Sequence, residues 1–381
     1  MPTVRANGVE LSYEASGEGP PLLFVSGLGQ NRLSWTLTVP AFASRWRCIT
    51  FDNRGVGQSA VPPGPYTIEN NYLEASGENF LLGGADPAIP NLVTEDVVFR
   101  RNRLSKPVAW RAEKWLVKNL FELKNARRVL VEGNLFENNW PGRQAGVAIL
   151  FTVRNQDGTA PWSVVEDVNF TGNTVRRTAG AVNILGRDDA NESAQSRRIA
   201  IRNNLFDEVG PAGWETNGRF LIISDAVDVT VDHNTVIHTG NVVTAHGAPS
   251  PGFVFTNNVS RHNEYGIIGD NAGVGLRTLP VYFAGGVVAR NVLAGGNASD
   301  YPEDNLFPAT LEAAGLVLND AGRYRLAATS PLGGAGLDGA DIGCDLKAVW
   351  DLEQLARTGS EAVATGRGAG TLIRAEIGSS A

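Results

Sequence analysis

The chain has 381 residues, 43% hydrophobic and 19% charged, with a formal net charge of −7. That balance excludes a disordered polymer, and charge spread over both signs without a basic run excludes a nucleic-acid binder, which needs clustered Lys and Arg. One Met, 44 Gly and many Asn, Val and Thr point to strands joined by tight turns.

In chain order, the first elements are a hairpin over residues 3–5 and 9–13 and a buried strand, Pro21-Leu22-Leu23-Phe24-Val25. The apolar run bounded by turn residues is the signal for that strand. A glycine-rich loop, Ser26-Gly27-Leu28-Gly29, follows, and a helix is predicted over 35–42. Another strand, 47–51, is closed by Asp52-Asn53-Arg54-Gly55-Val56-Gly57-Gln58-Ser59.

These residues resemble the N-terminal part of the α/β-hydrolase family, close to its lactonase- and esterase-like members. The resemblance implies that loop 26–29 supplies a backbone N–H to an oxyanion hole, with Leu28 as the donor. Ser26 stands where the family more often has His. Such an enzyme needs a nucleophile on a G-x-S-x-G turn, followed by an acid and a His. No Ser or Cys of this chain sits in that pattern, and the strand–helix alternation stops after Tyr66. Esterase or lactonase activity is therefore the disfavoured reading. The junction over 61–69 has no flexible linker, so a fused gene is expected, or a cap on the end of the array that follows.

From residue 68 a short pattern recurs: an apolar residue, two variable residues, Asn, one variable residue, then usually another apolar one. Its asparagines are Asn71, Asn102, Asn134, Asn173, Asn204, Asn234, Asn258 and Asn291, spaced 31, 32, 39, 31, 30, 24 and 33 residues apart. Longer blocks align as well, 123–134 with 223–234. Such regularity marks a repeat architecture. Val129-Leu130-Val131 and Val229-Thr230-Val231 alternate with period two, so each is a short strand. The Asn follows at a bend that tolerates left-handed backbone angles, and stacked Asn side chains can hydrogen-bond into a ladder. A second strand follows in each coil, at 147–151, 181–185 and 220–223. Helical repeats would show a 3.6-residue period, and a propeller needs about four strands per 40 or more residues; neither fits.

Ile68-Glu69-Asn70-Asn71-Tyr72-Leu73-Glu74-Ala75, Asn119-Leu120-Phe121-Glu122-Leu123-Lys124-Asn125, Asn155-Gln156-Asp157-Gly158-Thr159-Ala160-Pro161-Trp162 and Asp341-Ile342-Gly343-Cys344-Asp345 carry a second resemblance. They are similar to bacterial right-handed parallel β-helix repeat proteins of the pectate-lyase-like superfamily. The fold class expected is all-β: a right-handed parallel β-helix, or solenoid, over 67–345, with a small α/β segment over 1–66. A short helix over 345–358 and a flexible tail complete the chain. The resemblance implies a monomer, secreted relatives, and a polysaccharide or oligosaccharide lying along the stack.

Polysaccharide lyases of this type hold calcium with acidic side chains and remove a proton with Arg or Lys, whereas hydrolases use clustered carboxylates. By register the best cluster is Lys124, Arg154, Asp157, Asp188, Asp189 and Asp225, at or just past the second strand of successive coils, which lie about 4.8 Å apart. Asp188-Asp189 and His246 resemble the paired Asp and the His of polygalacturonase-like hydrolases. The catalytic candidates are thus Asp188, Asp189, Asp157, Arg154 and His246, and the substrate-binding ones Lys124, Asp225 and Trp162. Trp140, Trp162 and Trp214 could stack on sugar rings or plug the core. Acidic residues at such turns more often cap backbone, so a non-catalytic structural or glycan-binding solenoid stands beside the lyase or glycosidase reading.

Four His without ligand spacing argue against a zinc site, and calcium at the Asp cluster is the one cofactor left open. His233 and His238 are read as structural, and Cys48 and Cys344 as buried free thiols. No apolar stretch reaches the roughly 18 residues of a membrane span. The start, Met1-Pro2-Thr3-Val4-Arg5, lacks the apolar segment of a signal peptide, so the chain as written is expected in the cytoplasm.

Overall fold

The structure, a computed structural model, describes residues 1–6, 9–25, 31–53, 55–60, 64–214, 216–364 and 373–374. The chain divides into two compact units, Met1–Pro65 and Tyr66–Ala381.

In the first unit a four-stranded sheet has the order Thr3–Ala6, Val9–Ser16, Arg47–Phe51, Pro21–Phe24. The first two pairs are antiparallel, and Pro21–Phe24 lies parallel to Arg47–Phe51. A parallel pair needs a crossover. In place of the helix predicted over 35–42, that crossover holds two short 3-10 turns, Arg32–Trp35 and Val39–Ala41. Pro40 offers no N–H and restricts the residue before it, so a single α-helix cannot run through.

In the second unit successive strands enter three sheets in rotation. The first sheet includes Tyr66–Glu69, Thr94–Arg100, Ala126–Glu132, Val165–Thr171, Arg197–Arg202 and Val227–Asp232. The second includes Tyr72–Glu74, Arg103–Ser105, Leu135–Asn139, Thr174–Thr178 and Leu205–Val209, and the third Phe80–Leu82, Phe121–Leu123, Val147–Thr152, Gly180–Leu185 and Leu221–Ser224. Neighbouring strands of these runs are parallel and in register, with Val129 beside Val97 and Val168, and Phe136 beside Leu104 and Val175. Inward positions are apolar and dry, among them Phe99, Val131, Phe170, Ile201 and Val231. The rings of Phe136, Phe170 and Phe206 stack in a column with centroids 5.7 and 6.4 Å apart. Burying such rings is the main stabilising term of each coil.

The asparagines of the recurring pattern fall at the corner between the first and second sheets. Oδ1 of Asn134 accepts from the backbone N–H and from Nδ2 of Asn102, at 2.9 and 3.1 Å. The same double bond links each Asn to the next from Asn71 to Asn291, and Asn305 adds a further rung. The left-handed backbone lies one residue earlier than the sequence suggested. Asn70, Arg101, Gly133, Gly172, Asn203, His233, Asn257 and Arg290 have φ between 50 and 65°. That residue makes the bend, and the Asn after it satisfies buried backbone, as when Asn134 Nδ2 donates to the Phe99 carbonyl at 2.9 Å.

A 19-residue helix, Leu346–Ala364, packs against the second sheet. It begins where the sequence placed it but continues past residue 358. Leu352 rests on the corner: a Cβ at Gly172 would lie 2.8 Å from its Cδ1, and one at Gly133 3.0 Å from its Cδ2. Arg176 reaches both oxygens of Glu353 at 3.0 and 2.8 Å. Glu137, 2% exposed, pairs with Arg103, Arg357 and Arg177 at 2.9, 3.0 and 3.3 Å.

The expected class, an all-β right-handed parallel β-helix, is corrected. The first unit is a mixed sheet with a crossover, the second carries a long helix, and its parallel sheets amount to a repeat-like stack of coils.

Candidate functional site

In the first unit, Leu28 and the rest of loop 26–29 lie outside the described residues, but the residues that flank the loop do not. Pro21–Phe24 leads into it, and Arg32 follows it. Asp52, fully buried, accepts the Arg32 backbone N–H at 2.9 Å and the Gln58 backbone N–H at 2.8 Å, and pairs with the Arg32 guanidinium. Burial raises the Asp52 pKa, but those two N–H groups and the guanidinium outweigh it and hold the carboxyl below its ordinary value. Asp52 is thereby an ionised post that ties Arg32 to the strand Arg47–Phe51. Ser59 Oγ donates to the Asp52 carbonyl at 2.7 Å and accepts the Ser12 N–H at 2.9 Å, which ties in the second strand. Beside Arg32 lies a cavity of about 400 Å³ lined by Glu14, Trp35, Thr36, Pro40 and Thr50 among others. Sequence reasoning singled out the loop and missed Arg32 and Asp52. The signal was present, since Asp52 opens the motif that closes the segment.

In the second unit the structure brings together only part of the expected cluster. Arg154 Nη1 reaches Asp188 Oδ1 at 2.5 Å and Asp189 Oδ1 at 2.6 Å. The Asp188 side chain is shut off from solvent. It also accepts the backbone N–H groups of Asn155 at 2.6 Å and Ala190 at 3.0 Å. Both oxygens are engaged, so Asp188 stitches two coils together. Asp189 is exposed, and the Arg154 guanidinium holds its carboxyl below the ordinary range. A carboxyl so acidified is a poor general acid near neutral pH.

The other candidates disperse. Asp157 is exposed in a loop whose backbone is gripped by Asp86, which accepts the N–H groups of Asp157 and Thr159 at 3.0 and 2.9 Å. Asp225 binds Gln195 Nε2 at 2.8 Å and Arg187 at 3.2 Å, and Lys124 faces Glu122 at 3.6 Å. Trp162 is half-buried, donating to the Leu92 carbonyl at 3.3 Å. Trp140 and Trp214 are buried against each other and Val117. His246 is half-buried at the end of Val243–Ala245. His238 is buried with Nε2 2.9 Å from the Arg261 carbonyl, and burial pushes its pKa down to about 4. Among the described residues no three His, Cys, Asp or Glu side chains converge on a point that could hold a metal ion. No described helix is long and apolar enough to cross a membrane.

Residues 20–121 match the family model for the alpha/beta hydrolase fold. The chain is 36% identical over 69 residues to 3-oxoadipate enol-lactonase 2 of Acinetobacter baylyi, covering 18% of this chain and 26% of that protein. It is 37% identical over 76 residues to 3-oxoadipate enol-lactonase 1 of the same organism, covering 19% and 26%. A protein named as a non-heme bromoperoxidase, BpoC of Mycobacterium tuberculosis, is 47% identical over 51 residues, covering 13% and 20%. The chain thus spans about a quarter or less of the length of these relatives. The α/β-hydrolase resemblance of the N-terminal segment is supported. The expectation of a pectate-lyase-like, carbohydrate-binding protein is overturned, because the similarity runs to hydrolase-fold proteins.

Proposed function

We propose that the chain is a hydrolase of the α/β class, acting on an ester or lactone carbonyl. The observation that carries this reading is the hydrolase-fold match over 20–121. It is supported by Asp52, which fixes Arg32 at the end of the loop that would bind the carbonyl oxygen. In this reading the Leu28 N–H stabilises the negative charge that develops on that oxygen. A lactone is the substrate type named for two of the relatives. The sequence holds no G-x-S-x-G serine, so attack falls to water or to a nucleophile outside that pattern.

The test is hydrolysis of a panel of aryl esters and lactones by the intact chain and by Leu28→Pro, which lacks the N–H. Turnover that falls by about 10²-fold or more in the variant supports the reading, that being the usual cost of one lost oxyanion donor. No turnover on any substrate refutes it. A second reading, a non-catalytic scaffold, is favoured by one observation: both Asp188 oxygens are consumed between coils.

A further inference from the structure

Four of the eight tryptophans, Trp110, Trp115, Trp140 and Trp214, lie on loops that turn the corner between the second and third sheets. These loops cover 106–120, 140–146 and 210–220, whereas the coil between the last two turns the same corner with Ala179 alone. The long loops lean across that gap. Arg111 Nη2 donates to the Gly213 carbonyl at 2.8 Å, and its guanidinium lies 4.8 Å from the centre of the Trp214 ring. Trp140, Trp214 and Val117 form a buried base, on which Trp110 and Trp115 rest half-buried with ring centroids 4.8 Å apart. Beyond that base the loop leaves Val108 47% and Leu116 54% exposed. Two aliphatic side chains and two indoles thus crowd within residues 108–116 at the outer end of the corner, an apolar face of the kind that marks an interaction surface.

The charge around this face is mainly positive. Apart from the buried Lys106, the three loops carry Arg111, Lys114, Lys118, Arg143 and Arg219 against Glu113 and Glu215, on a chain whose net charge is −7. Lys118 is held by Glu78 at 2.8 Å, and Glu113 accepts the Trp115 Nε1–H at 2.6 Å. Lys114 and Arg143 are exposed and make no ion pair among the described residues. Arg143 borders the face, its backbone N–H bonded to the Val117 carbonyl at 2.8 Å. Exposed Lys is depleted where proteins meet proteins. Indoles that carry a polar N–H, aliphatic side chains beside them and cations around them suit the boundary between lipid headgroups and acyl chains, and the cations favour a surface that is negatively charged.

We propose that this corner of the second unit docks on an anionic lipid surface, with Val108, Leu116 and the Trp110–Trp115 pair at the acyl boundary and Lys114 and Arg143 on the headgroups. The test is flotation of the intact chain with vesicles of phosphatidylcholine alone and of an equimolar mixture of phosphatidylcholine and phosphatidylglycerol. The expected result is partition onto the mixed vesicles about tenfold or more above that onto phosphatidylcholine, weakened by added salt. Two double variants at exposed positions divide the contributions: Val108→Ser with Leu116→Ser, and Lys114→Glu with Arg143→Glu. Each should lower the partition about tenfold or more. Lys347→Glu, which changes a side chain 86% exposed on the helix, should leave it unchanged. Failure of the intact chain to float with the mixed vesicles overturns the proposal, as does binding that either double variant leaves intact. Self-association that the Val108, Leu116 variant abolishes, without vesicle binding, would also overturn it and assign the face to a second copy of the chain.

Discussion

Replacing Asn204 by Ala should cost the second unit far more than the same change at Asn71. The Asn204 side chain is fully buried and sits mid-column. Its Oδ1 accepts the Asn173 backbone N–H at 2.9 Å and Asn173 Nδ2 at 3.0 Å. Its Nδ2 donates to the Phe170 and Arg202 carbonyls, each at 2.9 Å, and to Asn234 Oδ1 at 3.0 Å. Removal leaves the Asn173 N–H dry and unpaired, a desolvation cost of about 1–3 kcal/mol. The remaining lost bonds and the small void bring the total to about 3–5 kcal/mol. Asn71 is half-buried at the column's end, and its amide donates to the Glu69 carbonyl and Asn102 Oδ1 at 3.0 and 2.9 Å. Its loss orphans no N–H, so about 1 kcal/mol is expected. Urea unfolding followed by tryptophan fluorescence gives both values. Equal losses in the two variants, within about 0.5 kcal/mol, would show that burial within the column does not set the energetics.

Three further outcomes follow from the same packing. Gly172→Ala should loosen the helix, because the new methyl lies 2.8 Å from Leu352 Cδ1 on a backbone with φ 65°. A cost of about 1–3 kcal/mol is expected, read as faster proteolysis within Leu346–Ala364. Lys106 is buried, its ammonium donating to the carbonyls of Ala75, Gly77 and Asn119 and to Asn79 Oδ1 at 3.0, 2.6, 3.1 and 2.6 Å. Lys106→Met leaves those four oxygens without a donor and should destabilise by about 3–5 kcal/mol in urea. His238, held neutral by burial with a pKa of about 4, lies below its unfolded value of about 6.5. The unfolded chain takes the proton first on acidification, so stability present above pH of about 6.5 is lost as pH falls toward about 4, by up to about 3 kcal/mol. His238→Gln should flatten that part of the stability–pH curve.

Much of the second unit was legible because each coil repeats the same chemistry: apolar alternation, a bend, then Asn. The bend itself was misplaced by one residue. Left-handed tolerance made Asn the natural choice, yet Arg101, His233 and Arg290 occupy the position in their coils. Asn305 was invisible to the period because it follows Asn291 by only 14 residues. The acidic cluster was read from spacing, which puts residues at one corner but says nothing of who claims their oxygens. Arg154 and the Asn155 N–H claim Asp188, which no spacing in the chain reveals. In the first unit the strands were readable from apolar runs, whereas the crossover was decided by Pro40 against the helical pattern around it.

The most direct test of the account compares p-nitrophenyl acetate hydrolysis by the intact chain, by Leu28→Pro and by the double variant Asp188→Asn, Asp189→Asn. Carbonyl chemistry seated in the first unit requires that the Leu28 variant lose the rate by about 10²-fold or more while the double Asp variant keeps it. Activity lost in the Asp variant and kept in the Leu28 variant would contradict it.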